Sequence, residues 1–272
     1  MRPLSALGAR AARSLRGVVF DLDDTVLDHG ALGEPAYGAL FRLREAGLRL
    51  IACTGRPAGW GEVLARQWPI DAIVVENGAL ALVVEPGPAG SARRIQRHDP
   101  LDPKARRARH AGLRALADEL CARFPSTALA DDNDARITDV TLDIGEHRRV
   151  PAPEIAEIRA LAAAQGVRTL VSSVHLHLTR EPDDKASGVV RLLAERFGED
   201  ATAALGRHAF VGDSGNDAAP FAAFAVTIGV ANVRAHLRAL SVPPRFAASA
   251  PMGRGFAEIA AHLVALREAP PR

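Results

Sequence analysis

Short runs of apolar residues alternate with helix-like patterns along the first eighty residues of the chain. The runs GVVF, LRLIAC and DAIVV have the length and composition of buried strands, at 17–20, 48–53 and 71–75. Glu34-Pro35 predicts the start of a helix that Gly47 ends, and a shorter helix is indicated around Val63. Asn77-Gly78 is a hairpin signal. This alternation predicts a parallel sheet with helices on both faces.

The pattern changes after the Pro/Gly-rich segment EPGPAG at 85–90, which is typical of a break between elements. Helices are predicted around Leu113, Leu116 and Leu120 and over 153–165. Between and after them, apolar and polar residues alternate. The apolar set is Val140, Leu142, Ile144, Val174, Leu176 and Leu178, and Ser173, His175 and His177 lie on the opposite face. Such alternation predicts antiparallel strands with one face toward water.

The first rhythm returns after Pro182. Helices are predicted over 185–198 and 256–266, and strands over 208–212 and 224–230. We therefore predict an α/β protein whose core is discontinuous, built from 16–85 and 180–267. A smaller α+β domain, 86–179, is inserted into it, and residues 1–15 form a frayed N-terminal tail.

Composition and charge narrow the class of protein. With 272 residues, 48% hydrophobic and 24% charged, the chain has the composition of a soluble globular protein. A net charge of +2 gives no case for a nucleic-acid or membrane partner. Cys53 and Cys121 make no disulfide framework, which favours a reducing compartment. The Arg-rich N-terminus lacks the apolar stretch of a secretory signal, and we expect a cytoplasmic protein.

Carboxylates crowd together directly after the first core strand. The segment DLDDT brings Asp21, Asp23 and Asp24 together, and neighbouring acids ionise cheaply only with a cation or a shared proton. Thr54, Lys185 and the loop GDSGND (212–217) also lie at strand ends or beside them. Because open α/β sheets bind ligands beyond the carboxyl ends of their strands, these groups are expected to converge. The carboxylates there suit Mg²⁺ together with a phosphate.

The four clusters, in this order and spacing, resemble the motifs of the haloacid dehalogenase (HAD) superfamily. The triplets in ENGAL and TGRP, and the large insertion between Thr54 and Lys185, are similar to subfamily IIB, which has a C2-type cap. That branch includes sugar-phosphate phosphatases, mannosyl-3-phosphoglycerate phosphatases and phosphomannomutase. The resemblance implies a Rossmann-like parallel-sheet core with an inserted α+β C2-type cap domain.

The resemblance also implies a role for each matching residue. Asp21 would be the nucleophile, and Asp23 the general acid and base, whose backbone carbonyl also ligates the metal. Thr54 and Lys185 would hold the phosphoryl group and offset its charge. The implied phosphate-binding set is Asp21, Thr54, Gly55, Arg56, Lys185 and Asn216, and the implied metal set is Asp21, Asp23, Asp213 and Asp217. Asp217 and Asn216 would support the metal shell and Lys185. Asp24 departs from the pattern, since this branch commonly has glycine there.

These roles predict a Mg²⁺-dependent phosphomonoesterase that works through an aspartyl-phosphate. Its expected partner is a small phosphorylated metabolite, preferably a sugar phosphate, with no nucleic acid and no membrane. The expected assembly is a monomer or homodimer. A phosphomannomutase-like phosphotransferase and a non-catalytic phosphometabolite sensor are the alternatives. An Asp-rich turn by itself is typical of a solvated loop, so the hypothesis depends on the joint occurrence of the motifs.

Weaker features lie in the inserted segment. His175 and His177 share a strand face and could ligate a metal or touch a leaving group, although a polar surface is the simpler interpretation. Arg136 and Thr141 resemble the region where related caps grip their substrate. The basic run 93–110 predicts a solvated helix face, with recruitment of an anionic substrate as the alternative.

Overall fold

The computed structural model describes residues 1–269 apart from 86, 88–91 and 173. The chain divides into two compact units. The core unit comprises Met1–Gly55, Glu62–His98 and the chain from Asp183 onward. The inserted unit comprises Arg56–Gly61 and Asp99–Pro182.

Strands and helices follow one another along the chain as mixed α/β structure. The strands are β1 (Arg2–Pro3), β2 (Gly17–Phe20), β3 (Leu27–Asp28), β4 (Ala31–Leu32), β5 (Arg49–Cys53), β6 (Ala72–Val75), β7 (Leu80–Glu85), β8 (Arg94–His98), β9 (Ala128–Leu129), β10 (Asp139–Asp143), β11 (Arg168–Val171), β12 (His175–Thr179), β13 (His208–Gly212), β14 (Val226–Gly229) and β15 (Phe246–Ala247). The helices are α1 (Ala9–Ser14), α2 (Glu34–Glu45), α3 (Ala58–Gln67), α4 (Pro103–Arg123), α5 (Ala152–Ala164), α6 (Lys185–Phe197), α7 (Ala201–Arg207), α8 (Ala218–Ala223), α9 (Val233–His236) and α10 (Met252–Glu268). Among the described residues, no helix combines the length and apolarity that a membrane crossing requires.

A nine-stranded sheet in the order β1-β15-β14-β13-β2-β5-β6-β7-β8 forms the core unit. Neighbours from β1 to β6 are parallel, whereas β7 and β8 are antiparallel additions at one edge. The predicted α/β class with a parallel sheet is therefore confirmed. In this order β2 lies between β5 and β13, so the segments that follow these three strands meet at one edge of the sheet.

Helices cover both faces of this sheet, as the alternation predicts. Val19, Ile51 and Phe210 share one face and belong to a buried cluster with Val189 and Leu193 of α6. On the other face, the ring of Phe20 lies 5.2 Å from that of Phe256 in α10. Strands buried on both faces must be apolar throughout, which explains why the runs GVVF and HAFVG carry so few polar residues.

The N-terminal residues do not form the predicted frayed tail. Strand β1 pairs in parallel with β15, with Arg2 opposite Phe246. Leu4, Leu7 and Leu15 are buried in the core unit. The prediction gave weight to the arginines, but the leucines decide the outcome because their burial removes apolar surface from water.

The boundaries of the insertion also differ from the prediction. The prediction places them at 85/86 and 179/180, whereas the compact units change over after His98 and after Pro182. Strand β8 extends the core sheet by pairing antiparallel with β7, Val83 opposite Gln96. Its polar sequence RIQRH hid this, since an edge strand is held by backbone hydrogen bonds and tolerates charged side chains. Most of the segment 85–90 lies outside the described residues.

The inserted unit contains a four-stranded antiparallel sheet in the order β11-β12-β10-β9. Val140 and Leu142 of β10 and Leu176 and Leu178 of β12 share one face. They form an apolar cluster with Leu113, Leu116 and Leu120 of α4 and Ile158 of α5. The predicted α+β composition is therefore present in this unit. Ser173, which the prediction places on the polar face, lies outside the described residues.

The polar face of this sheet is buried rather than open to water. Asp139, Thr141 and His177 are 2%, 0% and 5% exposed. The Asp139 carboxylate accepts from Arg136 Nη1 at 3.1 Å and pairs with His177 Nδ1 at 2.9 Å. Arg136 also forms an ion pair with Asp132 at 2.6 Å. These polar groups can be buried because they form hydrogen bonds with one another. The alternation of polar and apolar residues in the sequence does not show whether the polar face is buried in this way or exposed.

The buried carboxylate of Asp139 should make the protein less stable in acid. Burial by itself would raise the pKa of Asp139, but Arg136 and His177 outweigh it and lower this pKa from 3.8 to about 2. Because the folded-state pKa lies below the unfolded value, the carboxylate stabilises the fold by roughly 2 kcal/mol at neutral pH. This contribution is lost as pH falls from about 4 through about 2. Urea unfolding of Asp139→Asn should show that deficit at pH 7 and roughly half of it at pH 3.

The exposed ion pair between Arg114 and Asp118, 3.1 Å apart, supplies a matched control. Asp118→Asn should change the free energy of unfolding by less than about 1 kcal/mol at every pH. A deficit of Asp139→Asn that stays constant from pH 7 to pH 3 would contradict the assignment.

Candidate active site

A buried lysine joins two of the predicted acidic residues. Lys185 Nζ lies 2.6 Å from Asp21 Oδ1 and 2.8 Å from Asp217 Oδ1. All three side chains are at least nine-tenths buried. Three segments separated by up to 196 residues, the difference between positions 217 and 21, therefore converge at one point.

The sheet and one helix start bring these side chains together. Asp21 directly follows β2, and its N–H donates to the carbonyl of Val211 in β13 at 2.9 Å. Lys185 is the first residue of α6. The Asp184 side chain caps that helix by accepting from the N–H groups of Ala186 and Ser187, each at 2.9 Å. The cap fixes the first turn, and with it the backbone from which Lys185 extends.

Asp217 contacts both Lys185 and the backbone of the acidic loop. Its Oδ2 accepts from the N–H of Asp213 at 2.9 Å and from that of Ser214 at 3.3 Å, while Oδ1 accepts from Lys185. Both carboxylate oxygens of this predicted metal ligand thus already have donors. The contact with Lys185 is compatible with the supporting role that the resemblance also implies for Asp217.

The site carries more negative than positive charge. Burial raises the pKa of Asp21, the Lys185 ammonium offsets part of that effect, and the carboxylates of Asp217 and Asp213 raise the pKa further. Burial and Asp217 likewise raise the pKa of Asp213 to about 7. Burial by itself would lower the pKa of Lys185, but Asp21 and Asp217 raise it well above its ordinary value. The lysine therefore stays protonated, and the acids are short of positive charge.

The donor set fits a hard divalent cation. Asp21, Asp213 and Asp217 each offer a carboxylate oxygen, and these oxygens lie within 4.8 Å of one another. In the described part of the chain, this is the group of acids, histidines and cysteines whose spacing suits a metal ion. Oxygen ligands without nitrogen or sulfur are those that Mg²⁺ prefers.

Asp23 and Asp24 take different positions in the first motif. Asp23 is half-buried, and its charge is near enough to raise the pKa of Asp21. Asp24 has a left-handed backbone (φ 57°), and its Oδ1 accepts from the N–H of His29 at 3.2 Å. The side chain of Asp24 is therefore engaged within its own turn.

The remaining predicted site residues differ in their burial, and one of them belongs to the inserted unit. Thr54 is buried directly after β5, and half-buried Gly55 follows it. The carbonyl of Thr54 accepts from the N–H of Asn77 at 3.0 Å. Asn216 is exposed on the acidic loop. Arg56 belongs to the inserted unit, and its guanidinium lies 4.1 Å from the centre of the Trp60 ring.

Two residues outside the predicted set hold Asp213 in place. Asn232 Nδ2 donates to Asp213 Oδ2 and to the carbonyl of Asp24, both at 2.9 Å, and its Oδ1 accepts from the N–H of Met252 at 3.0 Å. Thr25 Oγ1 donates to Asp213 Oδ1 at 3.3 Å. Asn232 follows the end of β14, so the strand-end rule that found the other residues could have found it too.

Comparisons with known proteins bear on the family that the motifs resemble. Residues 18–99, which include Asp21, Asp23 and Thr54, match the family model of haloacid dehalogenase-like hydrolases. The predicted resemblance to that family is confirmed. The assignment of the chain as a hydrolase is confirmed with it. No curated protein sequence matches the chain.

Solved structures show the same fold over nearly the whole chain. A protein of Thermoplasma acidophilum is 18% identical with a TM-score of 0.70, covering 92% of this chain and 98% of its own. The sucrose-phosphatase of Synechocystis sp. PCC6803, solved with sucrose and phosphate, is 16% identical with a TM-score of 0.63 and the same coverage. A HAD subclass IIB sugar phosphatase is 17% identical with a TM-score of 0.62, covering 91% and 98%. All three structures share the fold of this chain over more than nine-tenths of its length.

Proposed function

We propose that this hydrolase is a Mg²⁺-dependent phosphomonoesterase that forms an aspartyl-phosphate on Asp21. The observation that carries the proposal is the contact of Lys185 with both Asp21 and Asp217, beside Asp213. A carboxylate attacking a phosphate needs its own charge and that of the phosphate offset. A buried ammonium 2.6 Å from the attacking carboxylate supplies part of that charge directly.

The residues divide the reaction into two steps. In the first, Asp21 forms a bond to phosphorus while the bond to the leaving oxygen breaks, and Asp23 donates its proton to that oxygen. In the second, Asp23 removes a proton from water, which attacks the phosphorus and releases phosphate and free Asp21. Lys185 offsets charge in both steps. Asp21, Asp213 and the backbone carbonyl of Asp23 would hold Mg²⁺, which neutralises phosphate oxygens when bound.

A sugar phosphate is the substrate class we propose. The sucrose-phosphatase and the subclass IIB sugar phosphatase, which share the fold over more than nine-tenths of this chain, support this choice. The formal charge of +2 supports a small metabolite rather than a nucleic acid. The free cysteines Cys53 and Cys121 support the cytoplasm as the compartment.

Phosphate release from a panel of phosphorylated metabolites, assayed with Mg²⁺, tests the proposal. We expect turnover concentrated on a few sugar phosphates and none with an Asp21→Asn variant. A requirement for a sugar bisphosphate, with transfer to sugar instead of release, would replace the phosphatase by a mutase. Binding of phosphorylated sugars without turnover of any panel member would indicate a sensor.

A further inference from the structure

Three consecutive residues between β6 and β7 have a left-handed backbone. Glu76, Asn77 and Gly78 have φ values of 49°, 57° and 104°. For non-glycine residues this conformation costs about 1–2 kcal/mol each. Such a conformation persists where its surroundings impose it. Glu76 and Asn77 are both buried, so the packing around this turn is the feature to explain.

The start of helix α6 lies directly against this turn. A Cβ atom on Gly188 would lie 2.3 Å from the carbonyl oxygen of Gly78 and 2.6 Å from its Cα. A Cβ atom on Gly78 would lie 2.0 Å from the carbonyl oxygen of Asp184. The two backbones are therefore in contact without intervening side chains. Gly188 is one helical turn after Lys185, on the same side of the helix.

Arg191, a further turn along α6, fastens the turn to the helix. Its Nη2 donates to the carbonyl oxygens of Gly78 and Ala79, at 2.9 and 3.1 Å. Its Nη1 forms an ion pair with Asp183, which stands two residues before Lys185. The turn itself is connected to the phosphate-binding segment, because the N–H of Asn77 donates to the Thr54 carbonyl at 3.0 Å.

We propose that the turn Glu76–Gly78 is a rigid seat for Lys185, with Gly188 and Arg191 as positioning residues that act through Lys185. The inference rests on the proposed function. Contact between the backbones of Gly78 and Gly188 sets how closely α6 packs against the turn. Arg191 holds the segment that leads into this helix. Together they fix where Lys185 Nζ meets Asp21 and Asp217. A Cβ at position 188 would have to displace the helix by roughly 1 Å, and such a displacement of a catalytic group can cost about 10²-fold in rate.

Two substitutions and two matched controls test the seat. Gly188→Ala should lower kcat by about 10²-fold and Arg191→Met by about tenfold, each with KM within about threefold of wild type. Arg196→Met is the control on the same helix, since Arg196 is exposed and donates to Gln96 Oε1 at 2.6 Å. Gly206→Ala is the glycine control, because a Cβ there would meet nothing within 4 Å. Both controls should keep wild-type kcat.

A cycle with Lys185→Met separates positioning from general stability. Arg191→Met should cause no further loss of residual kcat when Lys185 is already Met, while its effect on Tm stays the same in both backgrounds. An undiminished loss of kcat in the Lys185→Met background would show that Arg191 acts by another route. Wild-type kcat in both Gly188→Ala and Arg191→Met would overturn the inference.

The Lys185 ammonium signal in a ¹H–¹⁵N spectrum gives a readout that needs no turnover. Lys185→Met identifies the signal by its loss. Gly188→Ala and Arg191→Met should shift or broaden it, and Arg196→Met should leave it unchanged. An unchanged signal in both variants would overturn the seat even if the protein releases no phosphate. A shifted signal together with an inactive wild-type protein would support the seat and reject the proposed function.

Discussion

Asp21→Asn is expected to abolish phosphate release, with kcat reduced by about 10⁵-fold or more. An amide oxygen is a poor nucleophile for phosphorus, and the residue cannot form the phosphorylated intermediate on which the second step depends. Steady-state phosphate release at saturating sugar phosphate measures the loss. Asp21→Ala, examined in parallel, removes the ambiguity that Asn can hydrolyse back to Asp.

The neighbouring Asp24 provides the matched control for this substitution. Asp24→Asn makes the same chemical change three residues along the motif, and Asn tolerates the left-handed backbone of that position. Because the Asp24 side chain accepts from His29 rather than from Lys185, kcat should stay within about threefold of wild type. Activity retained by Asp21→Asn, or an equal loss in Asp24→Asn, would place the nucleophile elsewhere.

The Asp21→Asn substitution should leave the fold intact and even raise its stability. Burial and the neighbouring carboxylates raise the pKa of Asp21, so at neutral pH the charged form opposes folding relative to a neutral one. Asn supplies that neutral group at nearly the same volume, and Lys185 keeps Asp217 as its partner at 2.8 Å. A Tm equal to or above that of the wild type is the expected result, consistent with the tension between stability and activity that buried catalytic charges create.

The convergence of Asp21, Lys185 and Asp213 could be predicted because each of them directly follows or opens a regular element. Asp21 follows an apolar strand, Lys185 opens an amphipathic helix, and Asp213 comes at the end of another strand. Parallel strands then bring these positions to one edge, whatever the separation in sequence. The convergence is a consequence of topology, and apolar runs reveal topology well.

The positioning residues that we propose, Gly188 and Arg191, could not be predicted in the same way. In the sequence Gly188 looks like an ordinary glycine within a helix. Its importance comes from the carbonyl oxygen of Gly78, which lies 2.3 Å from where a Cβ atom on Gly188 would be. Arg191 looks like a surface arginine until the carbonyls of Gly78 and Ala79 are placed beside it. Contacts between segments more than a hundred residues apart leave no local pattern in the sequence.

Edge strands and buried polar faces escaped the pattern for a related reason. Strand β8 pairs through its backbone, so its charged side chains carry no strand signal. On strands β10 and β12, Asp139 and His177 obey the alternation expected of a solvated face, yet they are buried because they satisfy each other. Hydrophobicity predicts which face is apolar, whereas the burial of the other face depends on pairing that polarity alone does not encode.

Removal of divalent metal is the second prediction with a large expected effect. Excess chelator should lower kcat by at least about 10³-fold, and added Mg²⁺ should restore it fully. Within the described part of the chain, Lys185 is the one ammonium in contact with the group of three buried carboxylates, whose oxygens lie within 4.8 Å of one another. A phosphate dianion would add to this excess of negative charge, so without a cation the site should bind substrate poorly and stabilise its transition state less.

Thermal unfolding measures the same metal without reference to turnover. A cation that binds the folded site relieves the repulsion among Asp21, Asp213 and Asp217, so millimolar Mg²⁺ should raise Tm by linkage. Asp213→Asn removes one charged ligand while keeping the hydrogen bonds of its remaining oxygen, and this variant should lose both the Mg²⁺-dependent rise in Tm and most of kcat. Asp118→Asn, on an exposed ion pair of the inserted unit, should keep both. Full activity in excess chelator, or a Tm that does not change with Mg²⁺, would contradict the metal site. Lys185 alone would then offset the negative charge of the three carboxylates.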